Sequence, residues 1–193
     1  MDRPRRLQWA AVAAVVVLLA VLVVVLWAHG FLAPSHSSSA PAPVVRTFVN
    51  LTITYDPMSG IANYTTPFIS MQAYTLVVVT ITNYDPTASP LFVPWDNHVI
   101  GTVGDNETID CGSGSQVVTS LPETDIAHTF TVLDPYYNIS IPIPPASAVG
   151  HPCVVSFELV LDYPEFTSWG CVANCDNGQM AAGRMWGLLL ITG

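Results

Sequence analysis

Apolar and polar positions follow two different rhythms along this 193-residue chain. From Trp9 to Trp27 it reads WAAVAAVVVLLAVLVVVLW, nineteen residues without a charge. At a rise of about 1.5 Å per residue, a helix of this length just crosses a hydrocarbon core of about 30 Å. The run is longer than the apolar part of a signal peptide, about 7–15 residues, so an uncleaved anchor over residues 7–28 is expected in preference to a cleaved leader. Arg3, Arg5 and Arg6 precede it, and residues 1–6 are expected in the cytoplasm by the positive-inside rule. Residues 29–43, HGFLAPSHSSSAPAP, are Ser-, Ala- and Pro-rich and read as a flexible tether.

After residue 43 the period becomes two. TFVNLTITY (47–55), YTLVVVTITNYD (74–85), HTFTVL (128–133), CVVSFELVLDY (153–163) and RMWGLLLIT (184–192) alternate apolar and polar positions or are rich in β-branched residues. Turn signals such as YDPMSG, NYDPTASP, VGDNET, LDPYYN and PIPPASAVG separate them. The pattern predicts an all-β extracytoplasmic domain over residues 44–193, an antiparallel sandwich or barrel with one N-terminal transmembrane helix before it. Residues 86–127 are less regular and read as an insertion between two core strands, with a short hairpin of its own. A loop that long is either a plain surface insertion or the lid of a site.

Charge narrows the function. The formal net charge is −9, no lysine occurs, and beyond residue 28 only Arg46 and Arg184 oppose thirteen acids. Nucleic-acid binding needs a basic face, so no nucleic-acid partner is expected. The acidity suits a basic partner surface or an acidic milieu, and ordinary solubility explains it equally well. Asn50, Asn63, Asn106 and Asn138 begin N-x-[ST] sequons, which makes each a candidate glycosylation site at the surface. No G-x-S-x-G, H-E-x-x-H or phosphate loop is present. The hydrolytic chemistry that those motifs carry is therefore not expected.

The remaining chemistry lies in cysteine, histidine and methionine. Four cysteines outside the cytoplasm first suggest disulfides. Cys111 and Cys153, in separate elements, are a candidate disulfide pair. Cys171 and Cys175 sit four apart before two methionines, Met180 and Met185, so the end of the chain reads C-x4-M-x4-M from Cys175. His128 opens a strand upstream. Cys171 and Cys175 joined as a small closed disulfide, with the methionines as core residues and no metal, is the alternative reading of the same stretch.

An early-strand histidine followed by a late cysteine loop resembles the cupredoxin family over roughly Leu76–Gly193. VVVTITNYD is similar to the strand preceding the family's histidine, and FELVLDYPEFTSWGC to the strand and turn leading to its cysteine. CVANC has the C-x3-C spacing of the dinuclear copper domains of cytochrome oxidase subunit II and nitrous oxide reductase. GRM is similar to the loop's end in that reductase, and MWGLLLITG to the last strand of sulfocyanin-like archaeal proteins. The resemblance implies a cupredoxin-like Greek-key β-sandwich and a copper site of one or two ions, with metal ligands His128, Cys175, Met185, Met180 and Cys171. The chain departs from the family in the loop histidine. At the mononuclear spacing its place is held by Met180, at the dinuclear spacing by Gln179, and the dinuclear methionine position is Ala182. His98 and Gln179 are therefore additional candidate ligands, and His151 is read as a turn residue.

Thiolate and thioether are soft donors that favour Cu(I), whereas imidazole suits Cu(II) as well. The resemblance implies a membrane-anchored, single-pass electron carrier of a respiratory chain, docking to a terminal oxidase or cytochrome complex, or an oxidase-associated subunit, in preference to a stand-alone enzyme. Two other functions stand beside it. One is a Cu(I)-binding carrier or sensor module. The other is a metal-free structural accessory subunit of a membrane complex or surface layer.

Overall fold

Among the described residues the two-residue rhythm is realised as eleven strands in two facing sheets. The computed structural model describes residues 45–89, 97–134, 136–173 and 184–193. The predicted anchor and tether lie outside these residues, as do Cys175, Gln179, Met180 and Ala182. All described residues belong to one compact unit beginning at Pro43.

The strands are β1 (Arg46–Asp56), β2 (Ile61–Tyr64), β3 (Phe68–Gln72), β4 (Leu76–Asn83), β5 (Glu107–Asp110) and β6 (Ser115–Val118), followed by β7 (His128–Leu133), β8 (Asn138–Ile143), β9 (Cys153–Val160), β10 (Glu165–Gly170) and β11 (Trp186–Thr192). One sheet has the order β2-β1-β4-β9-β5-β6 and the other β3-β11-β10-β7-β8. Neighbours run antiparallel except β1 with β4 and β3 with β11, which are parallel.

Alternation decides what each strand buries. Val77, Val79 and Ile81 of β4 face Val155, Phe157 and Leu159 of β9 in the same inner layer, and Leu189 and Ile191 of β11 enter from the opposite sheet. Odd and even positions along a strand point to opposite faces, so this arrangement follows from the sequence period. β8 breaks the rule: Ile139 through Ile143 are all buried. Its free edge is met by the segment at Ile100, which exchanges backbone hydrogen bonds with Ser140. Pro142 is accommodated because β8 is an edge strand.

The structure differs from the sequence reading in the stretch 86–127. Its hairpin, β5–β6, is no excursion: β5 pairs with β9 and extends the first sheet. GSGSQ is the tip of that hairpin. Strand β8 was hidden by prolines and lies within what reads as turn sequence, and β2, β3 and β10 add short strands that the alternation did not mark.

A disulfide joins Cys111 to Cys153. It continues the β5–β9 ladder just beyond the Asp110–Val154 pair and ties the hairpin to the core. With a sequence separation of 42 residues, the loop-entropy argument assigns it about 4 kcal/mol. Replacing both cysteines by serine should lower the unfolding free energy in denaturant by about that amount. A loss under about 1 kcal/mol would show that the unfolded chain gains little freedom when the bridge is absent.

Candidate metal centre

His128 is the first residue of β7. Strand alternation turns it inward with Phe130 and Val132, and its side chain is about 1% exposed. Cys171 directly follows β10, and Met185 directly precedes β11. The β10–β11 ladder runs to Gly170–Trp186, and the next rung is a hydrogen bond from the Cys171 N–H to the Met185 carbonyl at 2.9 Å. Antiparallel pairing therefore places Cys171 and Met185 side by side, though fourteen residues separate them in the chain. Both are fully buried. On the other side β10 pairs with β7, through Trp169–Val132 and Gly170–Thr131, which brings Cys171 to the start of β7.

The Cys171 Sγ lies 3.9 Å from His128 Nδ1 and accepts the Thr129 N–H at 3.4 Å. Thr129 Oγ1 in turn accepts the Val172 N–H at 2.8 Å and holds the backbone just past the cysteine. Ligand bonds of about 2.0–2.1 Å to nitrogen and about 2.3 Å to sulfur, opened to a near-tetrahedral or trigonal angle, separate the two donor atoms by about 3.5–3.9 Å. The observed spacing thus admits a metal ion between them. Among the described residues no three of His, Cys, Asp and Glu gather into a metal-binding group. A third strong donor would come from the thioether of Met185 or from the Cys175–Met180 stretch.

The far side of the imidazole is held as firmly. His128 Nε2 is 2.9 Å from Asp85 Oδ2. Asp85 is 3% exposed and fixed on every side. Its N–H donates to Asn83 Oδ1 at 3.0 Å, its Oδ1 accepts the Thr87 N–H at 2.8 Å, and its carbonyl accepts the Ala146 N–H at 2.7 Å. Asn83 also donates to the Pro144 carbonyl at 2.8 Å. Burial by itself would raise the Asp85 carboxyl, but the hydrogen bonds from His128 and Thr87 outweigh it and hold the carboxyl below its usual value. Burial would likewise lower His128; Asp85 and then Cys171 overcome it and lift the ring to about 9. At neutral pH the metal-free ring is protonated, and an incoming ion must displace the Nδ1 proton.

An aromatic floor closes the site. Trp169 is fully buried, stacks on Phe130 with centroids 5.4 Å apart, meets the edge of Tyr64 at 4.6 Å, and donates its indole N–H to the Leu188 carbonyl at 3.2 Å. Gly187 permits this packing: a Cβ there would run into the Pro67 carbonyl and come within 2.7 Å of the Trp169 ring.

Of the ligands expected from sequence, the structure brings together His128, Cys171 and the Met185 position. Cys175, Met180 and Gln179 lie outside the described residues. His98 is exposed and bridges Ser120, and His151 is exposed on a turn. Asn50 and Asn138 are exposed; Asn63 and Asn106 are half-buried. Asp85 was missed by the sequence reading, where NYDPTASP is only a turn. The signal available was the Asn83-x-Asp85-Pro86 spacing, since Asn and Asp of this kind hydrogen-bond backbone two residues on and so build a fixed turn.

No protein-family model matches the chain, and no curated protein does. Among solved structures the chain is similar to the multicopper oxidase from Campylobacter jejuni, at 11% identity and a TM-score of 0.42, over 77% of this chain and 30% of that one. It is similar to auracyanin B at 13% identity and a TM-score of 0.39, over 77% of this chain and 90% of that one. It is similar to reduced rusticyanin at 15% identity and a TM-score of 0.39, over 77% of this chain and 83% of that one. These neighbours are cupredoxin-fold proteins.

Proposed function

We propose that the domain is a cupredoxin-like electron carrier that binds copper between His128 and Cys171. The observation that carries this reading is the buried pair His128 Nδ1 and Cys171 Sγ, 3.9 Å apart, with Met185 on the adjoining rung of the ladder. His128 would contribute an imidazole, Cys171 a thiolate that accepts one backbone N–H, and Met185, buried on the rung beside Cys171, a thioether. Copper, when bound, supplies a one-electron couple between Cu(I) and Cu(II). The protein's part is to hold the donors in place and keep water out. β7, β10 and β11 are neighbours in one sheet and Trp169 seals the floor, so the donors are positioned before the metal arrives.

The donor set is soft, and no histidine occurs between Cys171 and the end of the chain. Thioether in place of a second imidazole favours the reduced ion and a high potential. The same softness supports the second reading, a Cu(I) carrier that does not cycle. The apolar run 9–27 supports attachment to a membrane, with the domain on the outer face beside a terminal oxidase or cytochrome complex as redox partner.

Copper titration of the full-length protein tests this, read by metal content, optical and EPR spectra, and voltammetry. One copper per chain with an intense thiolate-to-Cu(II) band and a reversible couple is the expected result. Two coppers with a mixed-valence signal would enlist Cys175 as a second bridging thiolate. Copper retained only as spectroscopically silent Cu(I) would favour the carrier. No copper, with Cys171 bonded to Cys175, would leave the metal-free accessory subunit.

A further inference from the structure

Cys171 and Met185 adjoin the ends of β10 and β11 and are held there by the ladder between them. Asp85 sits past the end of β4, on a turn that engages its backbone and one of its carboxylate oxygens. Its N–H, its carbonyl and its Oδ1 are each engaged, and Asn83, the residue that starts the turn, is itself anchored to Pro144. Oδ2 is left to face His128 Nε2 at 2.9 Å. A buried carboxylate that only needed satisfaction would not require a rigid mount. A mount matters when a second group must be aimed.

We propose that Asp85 is the positioning residue of the metal centre: by accepting the Nε2–H of His128 it fixes the ring so that Nδ1 carries the lone pair directed at Cys171 and the ion. This rests on the copper reading above. The physical effect has two parts. First, the imidazole has two nitrogens, and whichever one donates a proton outward leaves the other to bind; an acceptor at Nε2 settles the choice. Second, an ionised acceptor pushes electron density into the ring and makes Nδ1 a better donor to Cu(II) than to Cu(I). In a site otherwise built of soft donors, Asp85 is thus the element that keeps the oxidised state accessible. A neutral acceptor would retain the aim and lose the push.

The test compares full-length wild type with Asp85→Asn and Asp85→Leu. In the metal-free protein, 15N spectra of the His128 ring taken above its titration should show a hydrogen-bonded Nε2–H in wild type and in Asp85→Asn, and loss of that signal in Asp85→Leu. In the copper-loaded protein, Asp85→Leu should weaken Cu(II) about 10–100-fold relative to Cu(I), the usual cost of removing an outer partner. Each tenfold raises the one-electron potential by about 59 mV. Asp85→Asn should fall between. A wild-type ring that, once neutral, keeps its remaining proton on Nδ1 and not on Nε2 would overturn the proposal. So would a potential unchanged in Asp85→Leu while only the melting temperature falls, which is what a purely structural residue would give. Absence of copper from wild type is a different failure: it removes the functional reading, and this inference with it, whatever the ring spectra show.

Discussion

Glu107→Gln should make the protein more stable near neutral pH by on the order of 3 kcal/mol, and leave it unchanged in acid below about pH 4. Glu107 lies on the inner side of β5, 1% exposed, with neither carboxyl oxygen hydrogen-bonded. Burial alone pushes its carboxyl up from the ordinary 4.5 to about 9. The unfolded chain releases this proton above about pH 4.5, while the folded protein keeps it. Stability therefore falls by about 1.4 kcal/mol for each pH unit above 4.5, and stops falling near pH 9, where the folded state ionises too. Gln has the same shape and polarity but no proton to lose, so the difference between variant and wild type isolates the ionisation.

Urea unfolding at a series of pH values provides the measurement. Two curves that converge in acid and separate steadily toward pH 9 are expected. Parallel curves would mean that the carboxyl reaches water or a partner in solution. The metal-free His128 pair tilts the wild-type curve the same way: with the ring held at about 9, its contribution is present below about 6.5 and lost as pH rises through 9. Asp85 acts at the other end, where its lowered carboxyl loses its contribution as the medium becomes strongly acidic. Together these groups place the optimum of the metal-free protein on the acid side of neutrality.

Cys171→Ser should abolish the thiolate-to-copper band and weaken copper binding by at least a hundred-fold, more than the loss of an outer-shell partner costs. His128→Ala should do the same. The ladder positions Cys171 against His128, so Cys171 is expected to supply the thiolate. With one copper, Cys175→Ser keeps the Cys171 band and shifts the potential at most. With two, either substitution destroys the paired signal. A Cys171→Ser protein that keeps the band, beside a Cys175→Ser protein that loses it, would hand the thiolate to Cys175. Serine is close to isosteric with cysteine and preserves the Cys171 backbone hydrogen bond to Met185, so a folding failure is not expected to blur the comparison.

Much of the sandwich was legible because alternation is a local property: each of β1, β4, β7, β9 and β11 carries enough inward apolar residues in its own sequence to announce a buried face. What was missed depends on neighbours. β8 hides its period because it is buried on both faces, and the expected hairpin gave no sign that β5, four residues long with a carboxylate at an inward position, pairs with β9. Neither condition can be read without the partner that does the covering. The metal centre divides in the same way. Histidine, cysteine and methionine in chain order were visible, and so was the missing loop histidine.

The amino-acid order accounts for the composition of the site: which soft donors exist, how many, and that the set lacks a second imidazole. It also sets the two-residue rhythm, because side chains of a strand alternate whatever the strand pairs with. That Cys171 meets His128 was decided only by sheet pairing, since β10 lies between β7 and β11 and its last rungs carry Cys171 to both. Asp85 joined the centre for the same reason. It is separated from His128 by 43 residues, and no spacing rule reaches across that distance. Only the folded chain sets that buried carboxylate 2.9 Å from Nε2, where desolvation and a fixed mount give the contact its force.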